Sequence, residues 1–128
     1  MAYTIMVVDD SETIRAVVER TLGMTGLPIE EVIHAENGRD ALEKLRGKWV
    51  DIVFTDINMP EVDGVRLVDS MNADAEMSEI PVVIVSTEGS TTRIEELRKK
   101  GIKGYLHKPF TPEAIRDVIL ENLGGWDE

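Results

Sequence analysis

The chain has 128 residues, 42% of them hydrophobic and 30% charged, with no cysteine and a formal charge of −11. This length fits one domain that buries roughly two thirds of its unfolded surface, and the composition is that of a soluble globular protein, not a disordered one. The charge argues against nucleic acid or an anionic membrane as a direct partner. The lack of cysteine removes disulfides and thiolate metal sites, and no apolar stretch approaches the ~20 residues of a membrane span.

The opening MAYTIMVVDD lacks a basic flank, and two aspartates cut its apolar run short. It does not read as a signal peptide, so a cytoplasmic location is expected. The first strand is predicted at about 3–8, rich in β-branched residues. Ser11 is placed to N-cap a helix whose buried stripe carries Ile14, Val17, Val18, Thr21 and Leu22. Gly26-Leu27-Pro28 breaks that helix. A second strand follows at about 31–35, and Asn37-Gly38 turns into a helix holding Ala41, Leu42 and Leu45. The third strand, about 51–55, is a continuous apolar run, as in a strand buried on both faces.

After a proline-containing loop comes a helix with Val65, Leu67, Val68 and Met71, then a fourth strand at 81–86. A helix of about 91–100 carries Ile94 and Leu97 and stops at Gly101, a C′ glycine. The fifth strand covers about 103–107. Thr111-Pro112 supplies an N-cap followed by proline at N1. The last helix buries Ile115, Val118, Ile119 and Leu123, and Gly124-Gly125 ends it. Strand–helix units in series predict an α/β fold: a doubly wound parallel five-stranded sheet with right-handed crossovers. Its natural strand order is the flavodoxin-like 2-1-3-4-5. Residues 1–128 are read as one domain, with its core at about 4–122 and a short tail at 124–128.

Polar residues stop four of these strands: Asp9 and Asp10 the first, Asp56 the third, Ser86 the fourth and Lys108 the fifth. In such sheets ligands bind outside the carboxyl ends of the strands, so these side chains are expected in one crevice. A carboxylate after a strand commonly caps the next helix. Ser11 already fills that role, and adjacent carboxylates repel unless a cation lies between them. Mg²⁺ suits one or two carboxylates plus waters and phosphate oxygens. Asp56 is either a turn residue or a carboxylate that accepts a phosphoryl group, with Asn58 a further oxygen donor. Taken alone, Ser86 reads as a satisfied strand-end hydroxyl and Lys108 as a solvated lysine. Their shared position at strand ends favours contact with a phosphate instead. His34 and His107 read as packed or surface histidines, with no second ligand at helical spacing.

The stretches MVVDDSETIR, TDINMPEVDG, VVIVST and GYLHKPF, in this order and spacing, resemble the receiver domain of two-component response regulators, from residue 4 to about 122. The likeness is greatest to stand-alone receivers of the chemotaxis CheY kind. It implies a phosphorylation-activated switch, with Asp56 as phosphoacceptor and Mg²⁺ bound by Asp9, Asp10, Asp56 and the backbone carbonyl of Asn58. By the same resemblance Ser86 is the switch hydroxyl, Tyr105 the aromatic switch and Lys108 the phosphate-binding lysine. Lys108-Pro109 resembles the family's cis peptide, and Asn58 and Glu88 occupy the positions that tune dephosphorylation. Thr87 departs from the Ala or Gly usual after the switch hydroxyl.

The implied partners are a histidine kinase and a downstream protein that docks on the fourth helix, fifth strand and fifth helix, with the receiver a monomer. Such a chain is not an enzyme on outside substrates; it catalyses only its own phosphoryl transfer and dephosphorylation. Residues 93–108 carry six basic side chains against Glu95 and Glu96, a net +4, so the remainder carries −15. Arg98, Lys99 and Lys100 either complement a helix C-terminus or present a surface to an acidic partner. Two alternatives stand beside this reading. An aspartate-nucleophile phosphohydrolase needs Asp-x-Asp after the first strand, where this chain has Asp9-Asp10. A degenerate receiver acting only as a binding module fits poorly with the complete set Asp9, Asp10, Asp56, Ser86 and Lys108.

Overall fold

The computed structural model describes residues 2–57, 64–86 and 91–123. Ten elements alternate along the chain: β1 (Tyr3–Val8), α1 (Glu12–Gly23), β2 (Ile29–Ala35), α2 (Gly38–Leu45), β3 (Ile52–Thr55), α3 (Gly64–Asn72), β4 (Val82–Ser86), α4 (Thr91–Lys99), β5 (Gly104–His107) and α5 (Pro112–Leu123). The strands form one parallel sheet in the order β2-β1-β3-β4-β5, as the alternating pattern predicts.

Alternation along the strands decides what covers each face. Met6, Val8, Val53 and Ile84 point to one side and pack with Ala41 and Leu45 of α2, Leu67, Val68 and Met71 of α3, and Leu97 of α4. Ile5, Val7, Ile52, Phe54, Val83 and Val85 point to the other, against Val18 and Leu22 of α1 and Ile115 and Ile119 of α5. Both faces of the three central strands are therefore dry, which is why β3 reads as an unbroken apolar run. Edge strand β2 keeps Glu30 and Glu31 exposed. It starts at Ile29, two residues earlier than the apolar pattern alone indicates.

The expected caps at Ser11 and Thr111 form, and Asn37 caps α2 as well. The Ser11 hydroxyl accepts the Ile14 N–H at 3.2 Å, Asn37 Oδ1 accepts that of Asp40 at 2.8 Å, and Thr111 Oγ1 accepts that of Ala114 at 3.1 Å. Gly101 has φ +98° just past α4, and the N–H groups of Gly101 and Ile102 return to the carbonyls of Arg98 and Leu97.

One expected core position is corrected. Val17 is 48% exposed, because α1 meets the sheet through Val18 and Leu22 and turns Val17 to the margin of that stripe. There it lines a groove of about 360 Å³ with Ile14, Thr21, Pro109 and Phe110, which reaches Lys108. Val118 and Leu123 of α5 are only partly buried against the core. Gly124, Gly125 and Trp126 lie outside the described residues. No helix among the described residues is long and apolar enough to cross a membrane.

Candidate functional site

Adjacent strands bring the acidic groups together. Val8 pairs with Thr55 in the β1–β3 register, so the residues that follow, Asp9 and Asp56, leave the sheet side by side. The ladder continues through them: Asp56 N–H donates to Val8 O at 3.1 Å, and Asp9 N–H to Ala35 O at 3.1 Å. One carboxylate oxygen from each of Asp9, Asp10 and Asp56 lies within 4.8 Å of the others. Asp9 is buried, Asp56 partly buried and Asp10 exposed.

Asp9 and Asp56 are each anchored through one carboxylate oxygen and turn the other toward Lys108. Asp9 Oδ1 accepts the Ser11 N–H at 2.9 Å, and its Oδ2 accepts from Lys108 Nζ at 3.2 Å. Asp9 thus supports the start of α1 after all, while its second oxygen faces the crevice. Asp56 Oδ1 accepts the Ile57 N–H at 2.7 Å, and its Oδ2 lies 4.0 Å from the same ammonium. Burial raises the Asp56 carboxyl above its ordinary value. Lys108 and the Ile57 N–H pull it back, and Asp9 and Asp10 push it up further. The Ile57 amide was not legible in the sequence, since a backbone donor leaves no mark in residue type.

Ser86 is the last residue of β4, and Lys108 follows β5 directly. Ser86 is buried, and its carbonyl accepts the Lys108 N–H at 2.9 Å. The Lys108-Pro109 bond is cis. Asn58, Thr87 and Glu88 lie outside the described residues.

A model of the response regulator receiver domain matches residues 5–120. The chain belongs to the response regulator receiver family. It is similar to chemotaxis protein CheY1 of Helicobacter pylori, 37% identical over 121 residues that cover 94% of this chain and 96% of that protein. The CheY homolog of Campylobacter jejuni is 36% identical, with 94% and 92% of the two chains covered. Among solved structures, Vibrio cholerae CheY4 superposes with a TM-score of 0.84 at 31% identity, over 94% of this chain and 98% of that one. The phosphohydrolase alternative finds no support in these likenesses.

In this receiver Tyr105 is partly buried and packs against the cluster under α3 and α4. Its hydroxyl donates to Ser86 O at 3.4 Å, and its ring centroid lies 6.4 Å from that of His107. His107 is exposed, and His34 pairs through Nε2 with Glu19 of α1. The basic strip around α4 is divided. Lys100 turns to α3, where its ammonium meets Asp69 at 2.9 Å, and this hydrogen bond holds it above the ordinary lysine range. Asn72 of α3 also donates to the Lys100 carbonyl at 2.6 Å. Arg98, Lys99 and Lys103 are exposed.

Proposed function

We propose that this receiver is a phosphorylation switch that accepts a phosphoryl group on Asp56 from the phosphohistidine of a partner kinase. The observation that carries this reading is the cluster of Asp9, Asp10 and Asp56 oxygens with Lys108 Nζ between two of the carboxylates. An all-oxygen, acidic donor set fits a hard cation. Asp9, Asp10 and Asp56, with the Asn58 carbonyl, would hold Mg²⁺. When bound, the ion offsets the charge of the carboxylates and of the incoming phosphate.

An Asp56 oxygen attacks phosphorus in line as the phosphorus–nitrogen bond to the donor imidazole breaks, with the electron pair leaving on that nitrogen. Lys108 and the Ser86 hydroxyl then contact the phosphoryl oxygens. Those contacts favour the closed arrangement of an existing equilibrium, in which Tyr105 turns inward. The resulting α4–β5–α5 surface binds the downstream protein, and Asn58 and Glu88 set the rate of dephosphorylation. The chain works as a cytoplasmic monomer, catalyses only its own phosphorylation and dephosphorylation, and serves chemotaxis as the named relatives do.

Incubation with acetyl phosphate and Mg²⁺, followed by mass spectrometry, tests this. A phosphoryl adduct at Asp56 that is absent from Asp56→Asn is the expected result. No adduct would make the chain a phosphorylation-independent binding module, and sustained turnover of an aryl phosphate would make it a hydrolase.

A further inference from the structure

Gly64 opens α3 and is buried against the main chain that carries Asp56. Its N–H donates to the Ile57 carbonyl at 2.8 Å, so the start of the helix is bonded directly to the end of the strand segment. A Cβ at this position would stand 2.4 Å from the Asp56 carbonyl oxygen, 2.9 Å from Ile57 Cα and 3.3 Å from the Asp56 carbonyl carbon. These are main-chain atoms, so no rotamer change clears them.

Nor can that main chain retreat freely. The Asp56 N–H is bonded to Val8 O at 3.1 Å, and its carbonyl accepts the Thr55 hydroxyl at 3.0 Å. The Ile57 N–H holds Asp56 Oδ1 at 2.7 Å. The peptide that Gly64 touches is therefore the one that orients the Asp56 carboxylate. The backbone of Gly64 itself does not need glycine, since its φ lies outside the left-handed region, and alanine is the better helix former. The missing side chain serves the neighbour, not the helix.

We propose that Gly64 is a positioning residue for phosphoryl transfer: by carrying no Cβ it lets α3 seat against the Asp56–Ile57 peptide and fixes where the Asp56 oxygens stand. The proposal rests on Asp56 being the phosphoacceptor. A displaced carboxylate weakens both the metal site and in-line attack, and a misplacement of ~1 Å can cost on the order of 100-fold in rate.

The test compares wild type, Gly64→Ala and Leu67→Ala, the last a buried core residue on the same helix. Three quantities are measured for each: Mg²⁺ affinity by calorimetry, phosphorylation rate by acetyl phosphate across Mg²⁺ concentrations, and a thermal melt. Gly64→Ala is expected to melt cooperatively, bind Mg²⁺ more weakly and react about 10- to 100-fold more slowly. Leu67→Ala is expected to melt earlier, with affinity and rate near wild type below its transition. Unchanged affinity and rate in Gly64→Ala would overturn the proposal. So would losses no larger than those of Leu67→Ala, or a Gly64→Ala chain that does not fold, which would make the role structural. If wild type itself gains no phosphoryl group on Asp56, the parent reading fails and this proposal falls with it.

Discussion

Lys108 Nζ stands 3.2 Å from Asp9 Oδ2, and both groups are largely shielded from solvent. The ammonium is the counter-ion of an acidic crevice that otherwise holds carboxylates from two neighbouring strands. It lies 4.0 Å from Asp56 Oδ2, close enough to move onto a group attached there. A second cation entering the crevice must contend with it.

Replacing that ammonium separates its two effects. Lys108→Ala is expected to bind Mg²⁺ about fivefold more tightly, since one like charge near the site is worth on the order of 1 kcal/mol in a partly solvated pocket. The same variant should phosphorylate more slowly with acetyl phosphate, having lost the contact to the phosphoryl oxygens that the proposed function gives Lys108. Calorimetry and a phosphorylation time course read the two effects independently. Weaker Mg²⁺ binding would mean that Lys108 supports the metal site instead of opposing it.

Asp56 carries a pH signature. Its folded pKa is raised above 3.8, mainly by burial. A carboxyl raised in the fold contributes stability while protonated and loses it as pH rises through the folded value. At neutral pH the ionised Asp56 is thus a cost to the fold. In Mg²⁺-free buffer Asp56→Asn should melt at a higher temperature than wild type near neutrality. The difference should shrink as pH falls toward and below the ordinary carboxylate value. A constant gain across that range would assign the effect to packing, not charge.

Neighbouring valines on α1 should respond very differently. Val18 is buried against β1 and α5, while Val17 is 48% exposed. Val18→Ala is expected to cost about 2 kcal/mol, and Val17→Ser to stay within about 0.5 kcal/mol. Denaturant titrations of the two variants measure this directly. A comparable cost at Val17 would place it in the core after all.

The cap of α2 tests helix-capping physics at a residue given no part in the phosphoryl chemistry. Asn37→Ala should cost about 1 kcal/mol, and Asn37→Gly only a few tenths. Equal losses would point to a contact of the Asn37 side chain beyond its 2.8 Å bond to the Asp40 N–H.

The fold was legible because each strand announces itself by an apolar run and each helix by caps and a stripe. Parallel pairing and right-handed crossovers then leave few topologies. Asp9, Asp10, Asp56, Ser86 and Lys108 were legible because each interrupts an apolar run at its downstream end. Other features were hidden for physical reasons. Whether Val17 is covered depends on what packs at the edge of the α1 stripe, which periodicity does not encode. Gly64 acts through a steric distance across the β3–α3 connection, and its residue type alone signals only a turn. Lys100 reads as one of three basic residues in a row, and only the approach of α3 pairs it with Asp69.

The strand order has a consequence for how this molecule breathes. The two acidic arms of the crevice extend from β1 and β3, interior strands bonded on both sides, whereas Lys108 extends from β5 at the rim. Amide protons of Val7, Val8, Phe54 and Thr55 should therefore exchange with solvent only through global opening, and those of Tyr105 to His107 through smaller, more frequent excursions. On the proposed function, the half of the crevice that would hold the ligand persists through such excursions, and the half that would respond to it hangs from the strand at the edge of the sheet.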